Sequence, residues 1–370
     1  MNRGFHMKAI VSLLLLAALA VALVFPLAGD TVLAQAPTGP QGGAQPQNPV
    51  PPKPPDAAPQ AQQGGVTIAV DVPIVTLDVV ATTQHGDIIS GLKKENFRVF
   101  DDGQAQTITN FAPTEAPITM VLLLEFSSRG YGGFFGYLGK YWSTALFPTL
   151  QQKDWVALET FDMKTRIEVD FTQNKEEVMQ GLYHLYFPGF SESNVFDALL
   201  ETVDRLKDVK GKKSIVVVAS GVDTFSKHTL DQTMKQLRQS DVTIFCIGLG
   251  RAYENWAQMN GLRSGRLDLL QAENQLKTFA QETGGYSWFP QFAGEMPDVF
   301  RSVAGFLRHQ YSLSYSPTTG AKDGKFHKVK IELVAPDGGV LTVLDQKGKK
   351  QKYQVYAREG YQAPKGGVGD

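Results

Sequence analysis

Ser220 is the residue that most invites a catalytic interpretation, because it directly follows an apolar run, 214–219, that is typical of a buried strand. In α/β-hydrolases the nucleophilic serine lies at such a strand end, within a Gly-x-Ser-x-Gly turn. Here Val218 and Val222 stand where the two outer glycines belong. The surroundings of Ser220 therefore do not support a hydrolase.

Other catalytic and cofactor motifs are also incomplete. The Gly-Leu-Gly segment 248–250 follows an apolar run, as a dinucleotide-binding loop would, but Tyr253 replaces its third glycine. Asp197, on a predicted helix, is interpreted as a helix-start or packing residue. The histidines show no HExxH or paired metal spacing: His6, His85, His184, His228, His309 and His327. We therefore expect no enzymatic activity.

The charge and cysteine content exclude further classes of function. Lys plus Arg number 36 and Asp plus Glu 37, so the net charge of −1 creates no field that would attract nucleic acid or an acidic membrane. The single cysteine, Cys246, lies in an apolar run, where a thiol usually behaves as a small buried hydrophobe. An internal disulfide and a CxxC motif are thus ruled out.

The N-terminus has the pattern of an export signal. Arg3 and Lys8 precede an apolar run, 9–28, and the small residues Ala34 and Ala36 follow it. We expect cleavage after Ala34, within residues 1–34, although the run is long enough for an uncleaved membrane anchor. Either outcome predicts an exported protein, whether periplasmic, cell-envelope or secreted.

A linker should follow the export segment. Residues 35–65 are rich in Pro, Gln and Gly and hold almost no large apolar side chain, so they cannot form a core. This stretch is interpreted as a disordered, semi-extended tether or as a plain disordered leader. A second disordered segment, the tail 362–370, is predicted at the C-terminus.

The segment 66–115 is predicted to be entirely β. Apolar residues alternate over 66–72 and again, with opposite parity, over 75–79, and the slip falls at Pro73. Further strands are expected at 96–100 and 106–111, separated by the turn tripeptide Asp101-Asp102-Gly103.

Over 116–310 the hydrophobic pattern changes to that of alternating strands and helices. Continuous apolar runs, typical of parallel strands buried on both faces, occur at 118–124, 155–161, 214–219 and 242–248. Amphipathic segments separate most of them, a short antiparallel edge strand is expected at 166–171, and a last helix at 296–309. The pattern predicts an α/β fold with a doubly wound, mostly parallel, Rossmann-type sheet.

Over 311–361 the hydrophobic pattern is again that of β-strands. Strands are expected at 311–315, 326–334, 340–344 and 353–357. Two separate small sheets would each be marginally stable. We therefore predict that the flanks 66–115 and 311–361 pair into one β-sandwich, with the α/β domain inserted between them.

The chain resembles von Willebrand factor type A domains over residues 116–310. The resemblance rests on Leu-Glu-Phe-Ser-Ser at 124–128, Ser-Asn-Val-Phe-Asp-Ala-Leu at 193–199, Ile-Val-Val-Val at 215–218, and 276–280 leading to Thr-Gly-Gly at 283–285. Motifs in the flanks, including 96–99, 102–103, 323–326 and 360–361, are similar to an exported bacterial subgroup. The resemblance implies a site beyond the carboxyl ends of the strands.

That family's metal-ion-dependent adhesion site is altered in this sequence. The pattern is Asp-x-Ser-x-Ser, then a Thr, then an Asp, and it holds magnesium. Glu125 stands at the first Asp, Ser127 matches the first Ser, and Arg129 stands at the second Ser. Ser193 stands at the Thr and Ser220 at the last Asp. Ser128 and Asp223 are polar neighbours of these positions. Glu125, Ser127 and Ser193 would be the remaining metal ligands, and we expect weak magnesium binding or none.

Arg129 offers a different interpretation of the same site. Its guanidinium could replace the cation, pair with Glu125 and leave donors for an acidic group of a partner. The alternative is that Arg129 simply points into solvent.

Aromatic residues are frequent in the loops around this predicted face. Phe134 and Phe135 lie in a glycine-interrupted stretch and would suit contact with a protein partner. Packing of these rings beneath the loop is the alternative.

The function predicted from the sequence is that of an exported protein-binding module for adhesion or scaffolding. It would use the strand-end face of the inserted domain, without tight metal binding and without a cofactor. The partner is expected to be a protein and not a nucleic acid. The alternatives are a structural envelope β-sandwich whose insert is a relic, and a magnesium-dependent adhesion protein.

Overall fold

The computed structural model describes residues 73–84, 86–113, 117–127, 145–185, 190–259, 266–318, 322–339, 341–344 and 348–365. The predicted export segment, linker and first strand half, 66–72, lie outside the described residues, as do Ser128, Arg129, Phe134 and Phe135. Among the described helices, none is both long and apolar enough to span a membrane.

The described chain alternates β and α/β sections. The strands are β1 (Val75–Thr83), β2 (Phe97–Asp101), β3 (Gln104–Gln106), β4 (Ile108–Pro113), β5 (Ile118–Glu125), β6 (Trp155–Phe161), β7 (Thr165–Thr172), β8 (Lys212–Ala219), β9 (Thr243–Gly248), β10 (Ser287–Trp288), β11 (Tyr311–Tyr315), β12 (Phe326–Leu333), β13 (Val343–Leu344), β14 (Lys350–Gln351), β15 (Tyr353–Tyr356) and β16 (Gly360–Gln362). The helices are α1 (Lys175–Tyr183), α2 (Val195–Arg205), α3 (Leu230–Gln239), α4 (Gly250–Met259), α5 (Arg266–Glu282) and α6 (Met296–Arg308).

The central sheet has six strands in the order β10-β9-β8-β5-β6-β7. β5 pairs in parallel with both β6 and β8, and all eight of its residues are buried. β7 pairs antiparallel with β6 at the edge of the sheet. The predicted mostly parallel, doubly wound sheet and its antiparallel edge strand are therefore confirmed.

Helices cover both faces of this sheet, because every parallel crossover returns over one face or the other. On one face Met120 and Leu122 of β5 share a core with α1 and α6, represented by Leu182 and Phe300. On the other face Leu123 shares a core with α2, α3 and α5. The alternation along β5 explains why its apolar run is continuous.

The two flanks combine into two four-stranded sheets, β15-β1-β11-β4 and β16-β12-β2-β3. β1 pairs antiparallel with β11, and β2 with β12, so each sheet contains strands from before and after the α/β section. Leu77, Phe97, Leu313 and Tyr361 belong to one core between the sheets. This confirms the β-sandwich with an inserted α/β domain, while the residue boundaries given above for the domains stay predictions.

Some predicted strands differ in detail. The single strand expected at 106–111 is two strands, because β3 pairs with β2 whereas β4 crosses to the other sheet and pairs with β11. The strand expected at 340–344 is reduced to β13, which pairs with β14 in a separate two-stranded sheet. The turn between β2 and β3 is as expected, with positive φ at Asp102 and Gly103.

Candidate functional site

The candidate site lies where the parallel strands β5 and β8 end. Glu125 is the last residue of β5, and Ser220 directly follows β8. The two strands are neighbours in the sheet and run in the same direction, so their carboxyl ends meet at one edge. Ser127 lies two residues beyond β5, and Ser193 lies shortly before α2. All four side chains are buried.

Hydrogen bonds join three of these residues. Glu125 Oε2 accepts from the Ser220 backbone N–H at 2.7 Å and from Ser220 Oγ at 2.7 Å. Glu125 Oε1 accepts from Ser127 Oγ at 3.0 Å. The carboxyl group thus bridges the ends of the two strands. We call Glu125, Ser127, Ser193 and Ser220 the strand-end cluster.

Ser193 is the loosest member of the strand-end cluster. Its hydroxyl faces the Glu125 carboxyl closely enough to lower the pKa of that group, but its geometry falls short of a full hydrogen bond. Ser193 Oγ is therefore buried with no hydrogen-bond partner among the described residues. A buried hydroxyl in this state carries an unrecovered desolvation cost.

The electrostatics of the strand-end cluster are dominated by burial. Burial raises the pKa of Glu125 above its ordinary value, because the charged form loses its hydration. The hydrogen bonds from Ser220, Ser127 and Ser193 act in the opposite direction but do not cancel this rise. The folded state therefore holds the charged form of Glu125 less favourably than water does.

The described residues do not fit a tight magnesium site. Magnesium requires near-octahedral oxygen ligands at short range. The strand-end cluster contains a single carboxyl, Glu125, and both of its oxygens already accept hydrogen bonds from serines. The Glu125 carboxyl reaches the end of β8 through its two hydrogen bonds from Ser220.

Asp223 does not join the strand-end cluster through hydrogen bonds. Its Oδ2 accepts from the Phe196 backbone N–H at 3.1 Å, at the start of α2. Both of its oxygens also accept from Ser226, at 2.5 Å from the hydroxyl and 3.2 Å from the backbone. The carboxylate thus serves the helix N-terminus, where four N–H groups lack partners within the helix.

Asp197 performs a related role that the sequence did not reveal. Its carboxylate accepts from the backbone N–H groups of Lys227 and His228, at 2.9 and 3.1 Å, and from His228 Nδ1 at 2.7 Å. Desolvation acts to raise the pKa of Asp197, but these hydrogen bonds lower it overall. Asp197 therefore holds the loop after β8 against α2, which is more than the predicted helix-start or packing role.

The same loop is bound to Ser193 through the backbone. The carbonyl of Ser193 accepts from the N–H groups of Thr224 and Phe225, at 2.8 and 3.0 Å. The Phe225 side chain is 50% exposed beside this contact. Phe190, shortly before Ser193 in the sequence, is also exposed. Phe225 has no distinctive sequence signal, because a lone aromatic in a polar loop is common.

The family comparison identifies the central part of the chain. Residues 143–281 match the family model described as the von Willebrand factor type A domain. The matched range includes Ser193 and Ser220 and begins after Glu125 and Ser127. No curated protein matches the chain.

Several solved structures are similar to the chain at low identity. One is the conserved hypothetical protein BatB from Bacteroides thetaiotaomicron, with 12% identity, coverage of 51% of this chain and 98% of that chain, and a TM-score of 0.39. Another is a von Willebrand factor type A protein from Catenulispora acidiphila, with 10% identity, coverage of 78% and 74%, and a TM-score of 0.39. A third is the corresponding domain of the type V pili tip protein Mfa5 from Porphyromonas gingivalis, with 12% identity, coverage of 52% and 95%, and a TM-score of 0.39.

Proposed function

We propose that this chain, whose residues 143–281 match the family model described as the von Willebrand factor type A domain, is an exported protein-binding module for adhesion or scaffolding. Its binding surface is the sheet edge where β5 and β8 end, and it works without a tightly bound metal ion. The export proposal is supported by the signal pattern in residues 1–34. Binding here follows the general preference of open α/β sheets for ligands beyond the carboxyl ends of their strands.

The observation that carries this proposal is the bridge from Glu125 to Ser220. Two hydrogen bonds of 2.7 Å join the Glu125 carboxyl to the end of β8. In a metal-dependent site these oxygens would be needed by the cation, whereas here they are used within the protein. The use of both carboxyl oxygens within the protein supports a binding surface that works without a tightly bound ion, and Ser193 Oγ is the cluster hydroxyl without a hydrogen-bond partner among the described residues.

Exposed aromatic side chains support the choice of a protein partner. Phe225 is half exposed and is tied through its backbone to Ser193. Phe190 and Tyr183 add exposed rings from the segment before Ser193. Exposed aromatic side chains beside a rigid site supply much of the binding energy in protein interfaces. Phe225, exposed and held to Ser193 through its backbone, is therefore suited to contact a protein surface.

Partner capture with two matched variants tests this proposal. The protein is immobilised on a support through a terminal tag and exposed to a native envelope extract. The captured proteins are compared for wild type, Phe225→Ser and Leu344→Ser. Leu344 is 57% exposed and lies on β13, in a two-stranded sheet separate from the central sheet, and it is similar to Phe225 in exposure and apolarity. We expect Phe225→Ser to weaken capture about tenfold or more, as loss of an aromatic anchor does.

The same experiment separates the alternatives. Capture by wild type should persist in EDTA, because the surface does not depend on a cation. Loss of capture in EDTA that added Mg²⁺ restores and added Zn²⁺ does not would favour a magnesium-dependent adhesion protein. Capture that is lost in Leu344→Ser but kept in Phe225→Ser would favour contacts through the β-sandwich.

A further inference from the structure

A second group of ligand-type side chains lies in the β-sandwich, outside the strand-end cluster. His327 is on β12, Asp101 ends β2, and Asp102 is in the turn that follows β2. Asp323 precedes β12 by a few residues. His327 and Asp101 are buried, whereas Asp102 is largely exposed. We call Asp101, Asp102, Asp323 and His327 the sandwich cluster.

The distances in the sandwich cluster are short. His327 Nδ1 lies 3.0 Å from Asp102 Oδ2 and 3.7 Å from Asp101 Oδ1. One ligand atom from each of these three residues lies within 4.8 Å of the other two. Ligand atoms about 2.1 Å from a tetrahedral zinc ion are themselves about 3.4 Å apart. The two distances from His327 Nδ1, 3.0 and 3.7 Å, lie on either side of that spacing.

Neighbouring groups fix the orientation of both buried members. Asp101 Oδ2 accepts hydrogen bonds of 2.9 Å from the phenols of Tyr315 and Tyr361, which leaves Oδ1 to face the imidazole. On the other side of the ring, His327 Nε2 lies 3.0 Å from Asp323 Oδ1. Asp323 is held in turn by the Lys325 backbone N–H at 2.8 Å.

These contacts require a positive charge beside Nδ1. When Nε2 carries its proton toward Asp323, a neutral imidazole presents the Nδ1 lone pair to two carboxylate oxygens. That arrangement is repulsive unless a proton or a metal cation lies between the nitrogen and the oxygens. The carboxylate on the far ring nitrogen is also the usual partner of a metal-bound histidine, since it fixes the tautomer and the ring orientation.

We propose that Asp101, Asp102 and His327 bind a divalent cation of the zinc class, with Asp323 orienting the imidazole. A mixed set of imidazole nitrogen and carboxylate oxygens suits zinc, and three protein ligands leave one position for water or a further ligand. Asp102 lines an open cavity of about 680 Å³ together with Lys328 and Glu359, which gives a cation a route from solvent.

The local potential favours a cation. The carboxylates of Asp323, Asp102 and Asp101 lie 3.0, 3.0 and 3.7 Å from the His327 ring nitrogens, so negative charge surrounds the place where a cation would bind. A bound cation would also join residues from both flanks of the inserted domain, since β2 precedes that domain and β12 follows it. The cation would thus act as a clamp on the β-sandwich.

Zinc titration of the full chain tests this proposal. The untagged protein is stripped of metal, and Zn²⁺ binding is measured by calorimetry for wild type, Asp102→Asn, Asp323→Asn and the control Asp337→Asn. Asn is well tolerated at the positive φ of Asp102, so Asp102→Asn should keep the fold. Asp337 is an exposed aspartate in another Asp-Gly turn, so Asp337→Asn removes the same charge from a comparable exposed position.

We expect one Zn²⁺ per wild-type chain, and weaker binding by about 10–100-fold in Asp323→Asn, as when other carboxylates that orient a metal-bound histidine are lost. Asp102→Asn should weaken binding at least as much, and Asp337→Asn should bind as wild type does. Absence of stoichiometric binding by wild type, or equal affinity in wild type and Asp102→Asn, would overturn the proposal and assign the positive charge to a proton on His327. Neither result bears on partner capture by Phe225, which lies in the other domain.

Discussion

Glu125 is a buried carboxyl whose pKa is raised on folding, and this has a direct consequence for stability. An acid with a raised folded-state pKa destabilises the folded state progressively as the pH rises from its ordinary value, 4.5, through the raised value. Below the ordinary value both states hold the proton, and the penalty disappears. The cost belongs to the charged form of this one side chain.

Glu125→Gln removes that cost while keeping the size of the side chain. The amide oxygen can accept from Ser220, and the amide nitrogen can donate to Ser127 Oγ. We expect the stability of the variant relative to wild type to increase as the pH rises from about 4 to about 8. Urea denaturation at a series of pH values measures this, with the exposed Glu177→Gln on α1 as the control. A relative stability of Glu125→Gln that is constant with pH would contradict the assignment.

At the residue level, the sequence was sufficient to place much of the strand-end cluster. The apolar runs show where β5 and β8 end, so Glu125 and Ser220 could be expected at one sheet edge. The hydrogen bonds of Asp223 to α2 could not be expected, because the loop conformation decides where that carboxylate points. Arg129 lies outside the described residues, so its role as a replacement cation stays a prediction.

The start of α2 is held by a carboxylate from outside the helix. Asn194 precedes the helix without a side-chain capping hydrogen bond, and Asp223 instead accepts from the Phe196 N–H. Helical spacing of Leu199, Leu200 and Val203 predicts the helix itself. A cap supplied 27 residues later in sequence has no local signature and could not be predicted.

Asp223→Ala should destabilise the domain by about 1–2 kcal/mol, the usual cost of losing a helix N-terminal acceptor. Asp204→Ala is the matched control, because Asp204 is an exposed aspartate in the last turn of α2, where a negative charge opposes the helix dipole. Urea midpoints of the two variants measure the difference. Equal stability of Asp223→Ala and wild type would contradict the capping role.

For the whole molecule, the inserted architecture follows from the weakness of the parts. The strands before and after the α/β section are too few for two stable sheets, and in the structure β1 pairs with β11 and β2 with β12. The crossing of the chain between β3 and β4 was missed, because alternation continues through Gln106 to Phe111 without a break. The sandwich cluster was missed because Asp101 and Asp102 carry a strong turn signal and His327 is distant in sequence.

Magnesium and manganese calorimetry of the whole chain most directly tests the claim that the strand-end cluster is complete without a metal ion. The wild type is compared with the combined variant Glu125→Asp, Arg129→Ser, Ser220→Asp, which restores the adhesion-site pattern implied by the resemblance, with Ser193 in place of its Thr. We expect no tight binding at the strand-end cluster of the wild type and measurable magnesium binding by the variant. Tight magnesium binding by the wild type, abolished by Ser127→Ala, would contradict the account.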